Sequence, residues 1–279
     1  MTSRHLLPFF VLTFAITWGI GATMLGFSEP LAARFGEMDL RAPFWKLLYH
    51  LMAYGPAISA FVMITAIGGR SGIRAFARRL LEWRVGLRWY AVVLLVYPAL
   101  RLGARAVANA VGSEDAPLFA NDPWYAVAPF FLISLVDDPG AVEEIGWRGF
   151  ALPLLQQRYG ALGASVLLGL VWGVWHLPAF FLSAMSQSAF VFPVFLLGTV
   201  VLSIVMTAVY NSTGGNVLLM LLFHGMTNFD LGPGGSSATE MLVMLTLGLA
   251  VALVLIVRLG GVHMGKAKFT RVLPDEQLT

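Results

Sequence analysis

Val142-Glu143-Glu144-Ile145-Gly146-Trp147-Arg148-Gly149-Phe150-Ala151-Leu152-Pro153-Leu154-Leu155 sets three charges inside a run that is otherwise apolar. The run forms part of a hydrophobic segment reaching from residue 124 to residue 157, the signature of membrane helix. A charge held at the centre of a bilayer costs roughly 2.5 to 3.5 kcal/mol on insertion scales, and such charges mark functional sites by default. Reading this stretch as membrane helix decides the fold class, and its charges locate the chemistry.

The rest of the chain agrees with a membrane reading. Its 279 residues are 58% hydrophobic and 12% charged, with mean hydropathy +0.78, whereas soluble domains carry about 25% charged residues. One crossing needs about 20 apolar residues. Candidate crossings fall at 6 to 27, 45 to 67, 89 to 111, 124 to 157, 162 to 183, 190 to 210, 214 to 229 and 240 to 259. The expected fold is therefore all-α, a polytopic membrane helix bundle of about eight transmembrane helices. It forms a single membrane domain over residues 1–279, with the motif-bearing core at 124–229. The fourth segment is too long for one crossing, and Asp137-Asp138-Pro139-Gly140 is expected to break it, because proline removes a helix hydrogen bond. The first segment reads as a retained span, since no small-residue cleavage site followed by a soluble domain appears. With no cysteine, the chain has no disulfide, thiolate nucleophile or cysteine metal ligand.

Loop charge supplies an orientation. Arg70, Arg74, Arg78, Arg79, Arg84 and Arg88 crowd the connection between the second and third spans, and Arg258, Lys266, Lys268 and Arg271 follow the last. The loop after the third span carries only Glu114, Asp115 and Asp122. Lysine and arginine concentrate on the cytoplasmic side, so both termini are expected there, which requires an even number of crossings. Within the basic loop, Ile73, Phe76, Ala77, Leu80 and Leu81 recur at helical spacing with arginines opposite. That pattern predicts an amphipathic interfacial helix before the third span. The net charge of +3 follows from this topology and implies no nucleic acid.

Glu144 and Arg148 are four apart, so on a helix they face each other and can neutralise one another. Glu143 is rotated about 100° away and needs a different partner, which makes it the candidate general base. His176 follows Trp172 by one turn, and His224 and Asn228 share a helix face. Counted from the inner ends of their spans at 1.5 Å per residue, Glu143 and Asn228 lie about 21 Å deep, His176 about 24 Å and His224 about 15 Å. One layer can therefore hold all four. Without a thiol, such a group is suited to activating water. Glu143, assisted by His176, would take the proton, and His224 with Asn228 would hold the oxyanion formed on an amide carbonyl. A variant places a divalent metal, zinc being the best match, on Glu143, His176 and His224. The usual His-Glu-x-x-His zinc signature is absent.

These residues resemble the CAAX prenyl endopeptidase and bacteriocin-processing (CPBP, or Abi) family of intramembrane proteases. The family's Glu-Glu-x-x-x-Arg appears as Glu143, Glu144 and Arg148, its Phe-x-x-x-His as Trp172 and His176, and its His-x-x-x-Asn as His224 and Asn228. The resemblance implies eight helices and an intramembrane endopeptidase. It also implies that Glu143 and His176 activate water, that His224 and Asn228 stabilise the oxyanion, and that Glu144, Arg148 and Trp172 support the site. Trp172 departs from the family's phenylalanine while keeping an aromatic wall. The implied partners are the lipid bilayer and a hydrophobic or lipidated peptide or protein substrate, and the implied setting is a bacterial plasma membrane. The family leaves metal dependence open.

Phe180, Phe181, Phe190, Phe192 and Phe195 form an aromatic run expected to anchor the chain at the bilayer interface, with a groove for a lipidated peptide as the alternative. Two other functions share the intramembrane charges. An ion-coupled transporter would show broken helices in two related halves, of which only one break is visible. A non-catalytic scaffold or bacteriocin self-immunity protein would be expected to have lost one of the six motif residues.

Overall fold

A computed structural model describes residues 3–112, 139–228, 237–265 and 272. The described residues form helices and turns with no strand among them. The principal helices are α1 (Leu6–Gly26), α2 (Ser28–Phe35), α3 (Pro43–Ala53), α4 (Gly55–Leu80), α5 (Leu87–Ala110), α6 (Leu152–Trp175), α7 (Phe192–Ser212), α8 (Val217–Asn228) and α9 (Ala238–Leu259). Six helical runs among them are long and apolar enough to cross a membrane; the longest, Pro139–Phe181, has 43 residues.

Among the described residues length and composition return six candidate crossings against the eight expected, and the differences are local. Residues 45 to 67 are not one helix. Pro56 opens α4 immediately after α3 ends at Ala53, because a proline has no N–H to give and fits the first turn of a new helix. The expected crossings 124 to 157 and 162 to 183 join in the described residues as one run, interrupted at Gly160, whose φ of 67° suits glycine. The expected crossing at 214 to 229 is the 12-residue α8. The loop acids Glu114, Asp115 and Asp122, the break residues Asp137 and Asp138, and the basic residues Lys266, Lys268 and Arg271 lie outside the described residues.

The expected amphipathic segment is the second part of α4, set off from the first at Gly69, whose φ is 52°. Arg70, Arg74 and Arg78 are exposed there while Phe76 and Leu80 are buried. Arg79 turns inward instead, donating to the Gly149 carbonyl at 2.8 Å and to the Tyr210 hydroxyl.

Close packing follows small residues. Gly169 and Gly173, one turn apart on α6, lie so near α7 that an added Cβ would collide with Val200 and Thr199 at the first and with Leu196 and Thr199 at the second. Lipid supplies no hydrophobic drive between helices, so close backbone approach of this kind is a principal source of their adhesion. Thr199 adds a bond from its hydroxyl to the Gly169 carbonyl at 3.1 Å. Gly146 lies against the Pro56 carbonyl at the start of α4, with no room for a Cβ. That contact seats the Glu144 turn. At one end of the bundle Met24, Trp45, Met52, Ala179, Leu182 and Met185 form a separate apolar cluster, which joins α1 and α3 to the turns after His176.

Candidate active site

The backbone entering α6 changes pitch three times within thirteen residues. Pro139–Glu143 is a 3₁₀ turn, Glu144–Gly146 a single α turn and Trp147–Ala151 a π turn. Each change rotates the following side chains relative to a regular helix, and π turns are frequent at functional sites. Glu143 ends the tight turn and Arg148 lies in the wide one, so the motif straddles both irregularities. Both glutamates and the arginine are buried.

The two glutamates have different partners. Glu144 Oε1 accepts from Arg148 Nη1 at 2.7 Å and also lies 2.8 Å from His224 Nδ1. Arg148 rests over the Trp172 ring, 4.9 Å from its centroid, a cation–π contact that supports a guanidinium with 0% exposure. Glu143 is bound instead by two indoles. Its Oε2 accepts from Trp172 Nε1 at 2.8 Å and from Trp147 Nε1 at 3.3 Å.

The two histidines are fixed by what their Nδ1 atoms reach. His176 Nδ1 lies 2.8 Å from the Trp172 carbonyl oxygen, which can only accept, so Nδ1 carries the hydrogen. In the neutral ring, Nε2 is then the basic nitrogen. His224 Nδ1 donates in the same way to the Glu144 carboxylate. Rings pack around both. Trp172 lies 5.3 Å from His224 and 5.7 Å from His176, and Trp175 and Phe195 meet His176 edge to face at 4.8 and 5.1 Å.

Glu143, Trp172, His176, His224 and Asn228 all line one cavity of about 670 Å³. The structure thus brings the four expected chemical residues to a single space. Asn228, the last residue of α8, is exposed, and its Oδ1 accepts from Thr227 at 3.5 Å. Glu144 and Arg148 stand behind the cavity wall. The aromatic run divides. Phe181 is exposed, as an anchor would be, but Phe190 and Phe195 line the cavity, which corrects the anchor reading for those two.

Zinc on Glu143, His176 and His224 does not fit this arrangement. Among the described residues no three acid or imidazole side chains are gathered closely enough to hold a metal ion. Glu143 Oε2 is engaged by two indole N–H groups.

Reading the sequence missed two features. The first is the pair of indole donors. Trp147 is four residues beyond Glu143, the same helical spacing that drew attention to Glu144 and Arg148, so this one was legible. The second is a triad joining α5 to α9, in which Glu240 Oε1 and Oε2 take Arg101 Nε and Arg105 Nε, each at 3.3 Å. Two arginines four apart in an apolar span were a visible signal of it.

Comparison with known proteins agrees with this geometry. A family profile described as type II CAAX prenyl endopeptidase Rce1-like matches residues 120–229, the segment carrying the cavity's Glu, His and Asn residues. The chain is also similar to CAAX prenyl protease 2 of Methanococcus maripaludis, at 27% identity over 239 residues, covering 80% of this chain and 82% of that protein. With three motifs meeting at one cavity inside a membrane bundle, the chain is similar to the Rce1-like type II CAAX prenyl endopeptidases in the segment that carries those motifs.

Proposed function

We propose that this protein hydrolyses a peptide bond in a membrane-associated or lipidated CAAX-type protein, using Glu143 to activate water. One observation carries the reading: a buried carboxylate, Glu143, lines a cavity that also holds two imidazoles and a carboxamide. The indole bonds fall on Oε2 and hold the carboxylate in place, which leaves Oε1 to take a proton from water. His176 Nε2 is the second acceptor. Water then attacks the scissile carbonyl carbon, the carbonyl oxygen becomes an oxyanion, and the proton passes on to the leaving amine as the C–N bond breaks.

Stabilisation of that oxyanion falls to His224 and Asn228. With Nδ1–H already given to Glu144, His224 can donate from Nε2 only as imidazolium, for which the Glu144 carboxylate is the counter-ion. The Asn228 amide N–H₂ needs no such change of charge. The apolar part of the cavity, lined by Phe195, Leu202, Leu245 and Val251 among others, offers a lipid chain a continuous surface. Orientation follows from the basic loop, which supports a cytoplasmic position for both termini.

The test is cleavage of a quenched fluorescent prenylated peptide by the purified, detergent-solubilised protein, run beside Glu143→Gln and beside the same peptide without its lipid. Turnover by the wild type, lost in Glu143→Gln while the variant stays monodisperse, is the expected result. Equal turnover by the variant overturns the assignment of the base, and equal turnover of both peptides overturns the lipid reading.

A further inference from the structure

Outside the cavity of Glu143, α4 carries a row of side chains four residues apart. Ile58, Val62 and Ala66 line a groove of about 690 Å³, closed on its other side by Val142 and Ile145. Those two flank Glu143 and Glu144 in sequence, so the far wall of the groove is the turn that carries both carboxylates. Past the kink at Gly69 the row continues as Arg70, Arg74 and Arg78. All three are exposed and have no hydrogen-bond or ion-pair partner among the described residues. No acid lies on α4 to neutralise them, and Glu82, the next along the chain, accepts the Arg84 backbone N–H at 2.9 Å. Arg70 lies twelve residues beyond Ile58, about 18 Å along the helix. One leaflet's hydrocarbon is about 15 Å deep, half of the bilayer core. The groove therefore has the reach of one acyl chain, with cations where a headgroup begins. The inward face of the basic half-helix grips the site as well. Arg79 donates to the Gly149 carbonyl at 2.8 Å, and Phe76 lies so close to Gly149 that an added Cβ would meet its ring at 3.1 Å. Gly149 follows Arg148 in the π turn.

From this arrangement we infer that the outer face of α4 binds one anionic phospholipid, with its phosphate on Arg70 and Arg74 and an acyl chain in the groove against Val142 and Ile145, and that this lipid supports turnover. The binding site stands apart from the proposed peptidase reading, and only the effect on turnover rests on it. Guanidinium meets phosphate through paired N–H donors, which suits arginine to such a headgroup. Anionic lipids concentrate on the side of the membrane where basic residues gather, and basic segments there recognise them. A zwitterionic lipid brings its own ammonium to offset the phosphate, so charge selects the occupant. The acyl chain packs on the residues before Glu143 and after Glu144. It thereby restrains the 3₁₀ and α turns whose pitch sets where the two carboxylates point. Through Arg79 and Phe76 the headgroup's half-helix bears on the following π turn, so one lipid steadies the motif from both sides.

The experiment titrates the purified protein in neutral detergent with dioleoyl phosphatidylglycerol, dioleoyl phosphatidylcholine or glycerol 1-phosphate, and reads binding from the thermal unfolding midpoint. Wild type is expected to bind phosphatidylglycerol saturably and about twenty-five-fold more tightly than phosphatidylcholine, roughly fivefold for each arginine. Glycerol 1-phosphate, which has the charge without the chain, should not compete. The double variant Arg70→Gln/Arg74→Gln should lose the preference, and Ala66→Trp, which fills the groove, should weaken both lipids alike. Equal binding of the two lipids by the wild type overturns the inference, and this comparison stands even if the variants fail to fold. A preference that survives in the double variant overturns it as well. Full competition by glycerol 1-phosphate, or unchanged binding in Ala66→Trp, overturns the groove as the seat of the chain. On the quenched prenylated peptide, phosphatidylglycerol should raise turnover severalfold in the wild type and not in the double variant. Lipid binding without that rise overturns the link to the site. Absence of any cleavage overturns the peptidase reading, while the titration still decides whether the lipid site exists.

Discussion

Trp172 donates its indole N–H to Glu143 Oε2 at 2.8 Å while its ring carries the Arg148 guanidinium on one contact and the His224 ring on another. One side chain thus touches a member of each of the three motifs. Its backbone extends the role further, since the Trp172 carbonyl takes the His176 Nδ1 hydrogen. A phenylalanine at this position keeps the ring contacts and drops the N–H. The tryptophan therefore adds a hydrogen bond to the carboxylate that the family's usual residue cannot make.

Trp147 and Trp172 donate to the same oxygen of Glu143, so each covers in part for the other. Trp172→Phe and Trp147→Phe are each expected to lower kcat by less than about tenfold, whereas the double variant should fall well below the product of the two. Peptide-cleavage kinetics on the four proteins of this cycle decide it; a strictly multiplicative loss means that the two bonds act independently.

Arg148 and Glu144 are both at 0% exposure, so removing either one leaves a buried charge without its counterpart. Arg148→Ala should cost about 3 to 5 kcal/mol of stability. Glu144→Gln should also destabilise, and it additionally frees His224 Nδ1. Thermal and denaturant unfolding in detergent measure both, and unchanged midpoints would mean the pair does not support the fold.

His176→Ala should reduce turnover by roughly a hundredfold to ten-thousandfold, the usual worth of a positioned acid–base group, with stability little changed because the ring is only partly buried. A loss confined to KM would place His176 in substrate binding instead.

Gly146→Ala introduces a methyl against the Pro56 carbonyl, which is backbone and cannot turn aside. The expected outcome is destabilisation of about 1 to 3 kcal/mol and reduced turnover together, because the same contact seats the Glu144 turn. Gly19→Ala, whose added Cβ would meet nothing within 4 Å, is the matched control and should leave both unchanged. Unfolding midpoints and cleavage rates on the two variants check this.

Residue spacing alone was enough for whatever depends on helix period and hydropathy. Apolar length predicts a helical membrane bundle, and the three residues between Glu144 and Arg148 bring those two side chains to one face whatever the rest of the molecule does. The amphipathic second part of α4 was legible for the same reason. Relations between helices were not, because they depend on rotation and tilt, and those are set where backbones meet: Gly146 on Pro56, Gly169 and Gly173 on α7. Only that packing decided that His224 reaches Glu144 and that Glu143 turns to Trp172 across 29 residues of chain. It decided too that Arg101 and Arg105 find Glu240 across more than a hundred residues of sequence. A period of 3.6 residues encodes neighbours one turn apart, whereas a cavity shared by α5, α7, α8 and α9 exists only once their surfaces have closed on one another.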